Sequence, residues 1–116
     1  MYDNVHILSN FFDFDEQGNA RGYKRDIIHV FNKDEHSLLR TPYARKIKTR
    51  NAALLLGDSL SDLQMAEGIE HTVLLKIGFL SIDIDKNIRT YESCYDALVL
   101  DDGTMHPVID IVARLI

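Results

Sequence analysis

Five apolar residues in a row, Ala52-Ala53-Leu54-Leu55-Leu56, break off at Gly57-Asp58-Ser59. An apolar run this short, with no polar alternation, suits a strand covered on both faces, which is the setting of a parallel sheet. Parallel neighbours need crossover connections, so helices must follow at short intervals. Ser59 to Glu67 reads as a short helix, with Ser59 or Ser61 as its cap and Gly68 just past its end. Thr72 to Leu75 reads as the next strand and can run on through Ile77. Asp83 to Tyr95 is a polar helix carrying Ile84, Ile88 and Tyr91 on one stripe, and Ala97 to Leu100 is a third strand. Pro107 to Ile116 closes the chain as a helix, with Pro107 early in its first turn. Alternating short units of this kind predict an α/β fold with a parallel sheet, flanking helices and right-handed crossovers.

Upstream the pattern differs. Val5 to Phe12 and Asp26 to Phe31 are rich in β-formers, and Asp13 to Asn19 supplies turn chemistry between them. An N-terminal antiparallel hairpin is expected, with Gly22-Tyr23 extending its second strand. From Asp34 to Lys48, Leu38, Leu39, Tyr43 and Ile47 recur at near-helical spacing, interrupted by Pro42.

Composition narrows the function classes. The chain has 116 residues, room for one domain, and a formal net charge of −5, which argues against a nucleic-acid partner. One cysteine, Cys94, allows neither an internal disulfide nor a thiolate zinc cage and suits a reducing compartment; a cytoplasmic location is expected, though one cysteine does not establish it. Met1 to His6 has no basic leader or apolar block, and no apolar run is long enough for a bilayer, so no membrane partner is expected.

In an open α/β sheet, ligands gather at the carboxyl ends of the strands. Gly57-Asp58-Ser59-Leu60-Ser61-Asp62 falls at that position. Asp58 and Asp62, four residues apart, lie on one side of the first helical turn, and two carboxylates there suit Mg²⁺. The same residues also fit plain helix capping, because Ser59-x-x-Asp62 is a capping-box variant and acidic groups favour helix N-termini. Spacing leaves both readings open.

Leu54-Leu55-Leu56-Gly57-Asp58-Ser59-x-x-Asp62-Leu63-x-Met65-Ala66-x-Gly68 resembles motif IV of the haloacid dehalogenase superfamily. Four further stretches resemble the cytosolic 5′-nucleotidase III (pyrimidine 5′-nucleotidase) family in the same order. They are Ser9-Asn10-Phe11-x-Asp13-Phe14-Asp15-Glu16-x-Gly18, Ile28-His29-Val30-Phe31-Asn32-Lys33, Leu75-Lys76-Ile77-Gly78-Phe79-Leu80 and Tyr91-Glu92-Ser93-Cys94-Tyr95-Asp96. The resemblance implies a Rossmann-like core of haloacid dehalogenase type, Mg²⁺ as cofactor and a nucleoside 5′-monophosphate as substrate. It implies that Asp58 is a Mg²⁺ ligand and that Asp62 belongs to the metal site, through its water shell or its hydrogen bonds. Lys33 matches the motif III lysine, whose ammonium offsets charge on the nucleophile and phosphate. Ser59 either touches phosphate or caps the helix. Leu63 and Met65 are expected in the helix core.

The family's chemistry starts from an Asp-x-Asp nucleophile that forms an aspartyl-phosphate, with a cap domain that reads the base. Asp13-Phe14-Asp15 mimics that motif, yet it leads into a turn, and only 20 positions separate Asp13 from Lys33. The expectation is therefore a carboxyl-terminal part of the core domain, residues 1–116, with the first strand, nucleophile and cap lying elsewhere. Such a chain alone should be inactive. It should also expose a sheet edge that favours self-association or pairing with the missing N-terminal segment. The alternative function is a catalytically inactive module acting in binding or association.

Overall fold

A computed structural model describes residues 2, 4–28, 43–68 and 70–115, divided between two compact units, residues 1–32 and 33–116. Lys33 lies outside the described residues, as does the expected helix from 34 to 42. Of the expected helical stretch up to Lys48, the described residues hold one short helix, α1 (Ala44–Ile47).

The first unit is a hairpin, but its strands sit elsewhere than expected. β1 (Phe12–Phe14) pairs antiparallel with β2 (Ala20–Tyr23), so Asp13 and Phe14 belong to a strand rather than to the turn. The turn is tighter because Asp15 organises it. One oxygen of its carboxylate accepts the N–H groups of Gln17 (3.0 Å) and Asn19 (2.8 Å), a side-chain mimic of a backbone turn. Gly18 takes the left-handed φ of 84° that the turn requires. Across the strands Phe12 stacks on Tyr23, their ring centres 5.0 Å apart. Neither Val5 to Phe11 nor Asp26 to Ile28 is strand. The first stretch is β-prone but has no strand partner among the described residues.

The second unit is the α/β layer. Its sheet runs β3 (Ala52–Gly57), β4 (Val73–Leu80), β5 (Ala97–Leu100), all parallel and in that order. β4 is longer than expected because it is central: β3 pairs along Val73 to Gly78, and β5 along Ile77 to Leu80. Lys76, which interrupts the apolar pattern, is accommodated by a backbone exchange with Asp96. The Asp96 carboxylate accepts the Lys76 N–H at 2.7 Å, and the Asp96 N–H donates to the Lys76 carbonyl at 2.8 Å.

Alternation along the strands gives the sheet two faces. On one, Leu56, Leu75, Ile77, Phe79, Ala97 and Val99 pack against Val108, Ile111 and Val112 of α3 (His106–Leu115). Burying one such side chain contributes roughly 1.5–3 kcal/mol, so this face carries much of the unit's stability. On the other face Gly57 and Gly78 stand side by side. Tyr95, at the end of α2 (Ile84–Cys94), lies over them. β3 leads into Leu60–Ala66, where the expected short helix takes the 3₁₀ form. Tight 3₁₀ turns of this kind are common as short connectors.

Candidate functional site at the mouth of the parallel sheet

The candidate site is the loop where β3 becomes the 3₁₀ segment. Ser59 takes the N-cap position, with extended backbone (φ −134°, ψ 156°), and Asp62 falls at the third helical position. Asp62 is 6% exposed. One of its carboxylate oxygens, Oδ2, accepts the N–H groups of both Asp58 and Ser59, each at 3.1 Å. This is the carboxylate half of a capping box. The Ser59 hydroxyl lies 2.7 Å from that of Ser61.

Asp58 differs from Asp62 in every respect that matters for a ligand. Its side chain is exposed, and it borders an open depression of about 450 Å³ shared with Leu56, Gly57, Asp62, Met65, Phe79 and Met105. Met65, expected in the core, is instead half-buried on this wall. The sheet's carboxyl end thus brings Asp58, Ser59 and Asp62 together, but with divided roles: Asp62 turns inward to the backbone while Asp58 faces outward. Among the described residues, no group of three or more His, Cys, Asp or Glu side chains could hold a metal ion. A cation here would be held by carboxylate and water, the arrangement Mg²⁺ tolerates best.

Two tyrosines complete the loop, and sequence reasoning missed their part in it. The Tyr91 hydroxyl donates to the Asp58 carbonyl at 3.0 Å, and the Tyr95 hydroxyl donates to the Ser59 carbonyl at 2.7 Å. Their rings stack with centres 5.7 Å apart. Burial pushes the Tyr95 phenol up to about 12, reinforced by the negative charge of Asp62 and, further down, of Asp58. The neutral O–H donor is thereby maintained well past neutral pH. The signal available in sequence was the pair of glycines. Glycine inside an apolar strand marks close approach of another group, and here that group is Tyr95.

Comparison with known proteins bears on this arrangement. The family model described as Pyrimidine 5′-nucleotidase (UMPH-1) matches residues 1–116. A 7-methylguanosine phosphate-specific 5′-nucleotidase from Gallus gallus is 36% identical over 116 residues, which is 99% of this chain and 40% of that protein. The Homo sapiens protein of the same name is 33% identical, again over 99% of this chain and 39% of its own length. Among solved structures, cytosolic 5′-nucleotidase IIIB bound to cytidine superposes with a TM-score of 0.82 at 33% identity, covering 99% of this chain and 38% of that one. The chain therefore spans about 40% of the length of the curated relatives it matches. Among the described residues no helix is long and apolar enough to cross a membrane. By the match along its whole length, the chain belongs to the pyrimidine 5′-nucleotidase family.

Proposed function

We propose that this chain supplies the metal-holding part of a cytosolic, Mg²⁺-dependent 5′-nucleotidase that removes phosphate from nucleoside 5′-monophosphates. The observation that carries the reading is the exposed carboxylate of Asp58, at the carboxyl end of a parallel strand, beside a buried Asp62 that braces its backbone. Family membership and the relatives' names add the substrate class. In this reading residues 1–116 are a carboxyl-terminal part of a haloacid dehalogenase-like core. The nucleophilic aspartate and the cap belong to the portion that the longer relatives have in addition.

The donor set fits the cation. Mg²⁺ keeps several waters and takes one or two protein carboxylates, and an outward Asp58 over an open depression provides both a ligand and space for water. Bound there, Mg²⁺ supplies neutralisation of charge on the phosphoryl group. Asp58 binds and orients it. Asp62 acts through hydrogen bonds: with one oxygen committed to two backbone N–H groups, it would hold the loop in shape beside the cation. Ser59 serves mainly as the cap, since its backbone sits at the N-cap position. Lys33, by resemblance, offsets the charge of nucleophile and phosphate.

The test is a chimera in which this chain replaces the matching segment of the Gallus gallus relative. The expected result is Mg²⁺-dependent release of phosphate from a nucleoside 5′-monophosphate panel that includes 7-methylguanosine and cytidine derivatives. Asp58→Asn should lower turnover by roughly 100-fold or more, the scale of losing an electrostatic group aimed at the reacting centre. A folded chimera with no turnover, beside an active parent, would point to a non-catalytic module instead.

A further inference from the structure

The geometry points to Tyr91 and Tyr95 as positioning residues for Asp58, clamping its backbone so that its carboxylate faces the depression. This role rests on the reading of Asp58 as a Mg²⁺ ligand. Four hydrogen bonds converge on three successive peptide groups. Asp62 takes the N–H groups of residues 58 and 59, Tyr91 donates to the carbonyl of 58, and Tyr95 donates to the carbonyl of 59. Both backbone polar groups of Asp58 are thus engaged, one from its own turn and one from the far end of α2. Its side chain is left exposed.

The tyrosines are built for this task. Tyr95 is 5% exposed; its ring lies over Gly78 and its hydroxyl over Gly57, and a Cβ at either position would come within 2.8 Å of it. Tyr91, four residues earlier, stacks on it and accepts its backbone N–H at 2.8 Å through the Tyr91 carbonyl. The clamp is therefore rigid at its base. Partners that orient a metal ligand in this way typically alter metal affinity by about 10–100-fold when removed.

The experiment follows backbone amide resonances of the purified 116-residue chain during Mg²⁺ titration. The wild-type amides of Asp58 and Ser59 should shift and saturate. Tyr95→Phe, which keeps the ring and loses the donor, should weaken apparent affinity by about tenfold, and Tyr91→Phe should weaken it in the same direction. Val112→Ala, in α3 and outside the residues that border the depression, lowers stability without touching the loop and should leave affinity within about twofold, which separates positioning from general loosening. Should Tyr95→Phe fail to fold, Tyr91→Phe, at a less buried position, carries the test. Wild-type affinity in the folded tyrosine variants would overturn the clamp alone. A wild-type chain whose amides ignore Mg²⁺ would overturn the metal reading of Asp58 and the clamp with it.

Discussion

Gly57 and Gly78 stand in register on neighbouring parallel strands, and together they form a bare floor on which the ring and hydroxyl of Tyr95 rest. A Cβ on Gly78 would lie 2.8 Å from Cγ and Cδ2 of Tyr95, and one on Gly57 would lie 2.6 Å from the Asp62 Cβ. Both distances are shorter than packed side chains allow.

Alanine at either position should therefore destabilise the chain by roughly 1–3 kcal/mol, the usual scale of overpacking. The two variants should differ in kind. Gly78→Ala pushes the Tyr95 ring aside and frees the Ser59 carbonyl, whereas Gly57→Ala presses on the Asp62 Cβ as well as the Tyr95 hydroxyl and frees two N–H groups in addition. Urea unfolding measures the loss, and amide exchange at Asp58 and Ser59 reports which side of the loop has opened.

The two aspartates should separate cleanly in stability. Asp62→Ala removes the acceptor of two backbone N–H groups at a buried position and is expected to cost about 1–3 kcal/mol. Asp58→Ala removes an exposed side chain and should stay within about 0.5 kcal/mol of wild type. Equal losses in urea unfolding would contradict the division of roles.

Alkaline pH should weaken the fold through Tyr95. Its ionisation is displaced upward to about 12, from an ordinary value of 10. The native state therefore holds a proton that the unfolded state has already released. Stability from this group is complete below pH 10 and is lost as pH rises toward 12. Metal-free wild type compared with Tyr95→Phe in denaturant, from pH 9 to 11.5, reads the effect. The variant should show the shallower fall.

At the other end of the pH scale the hairpin should respond through Asp15. The Asn19 N–H, together with the Asn19 side chain and the Gln17 and Gly18 backbone, holds its carboxyl below the ordinary carboxylate value. Its support for the turn is present above the unfolded value near 3.8 and disappears as pH falls through the lowered one. The Gln17 and Asn19 amide resonances should titrate together, with a midpoint below that of a free aspartate.

The α/β layer was legible because apolar runs without alternation admit few alternatives. Ala52 to Leu56 could hardly be anything but a strand, although as an edge strand of the described sheet it leaves Ala52 and Leu54 exposed rather than covered on both faces. α2 and α3 follow from their stripes and from Pro107. What escaped was set by hydrogen bonds between residues distant in sequence. The extent of β4 comes from its central place, with β3 paired along Val73 to Gly78 and β5 along Ile77 to Leu80, which periodicity cannot register. The hairpin strands moved because the carboxylate of Asp15 selects the turn, while β-propensity counts only residue types. At the site, spacing brought Asp58 and Asp62 together but left metal binding and capping unresolved. The two carboxylates differ in burial and direction, and nothing in residue type distinguishes them. Tyr91 read as one residue of a helical stripe and Tyr95 as the end of the same helix. Their meeting with residues 58 and 59 exists only once α2 is laid across the strand ends.

The most direct test of the account replaces Mg²⁺ with Mn²⁺, which prefers similar oxygen ligands, and maps paramagnetic broadening of the amide resonances of the purified chain. Broadening centred on Asp58 and its neighbours in the depression, and abolished in folded Asp58→Asn, is the predicted result. Broadening centred elsewhere, or persisting unchanged in that variant, would contradict it.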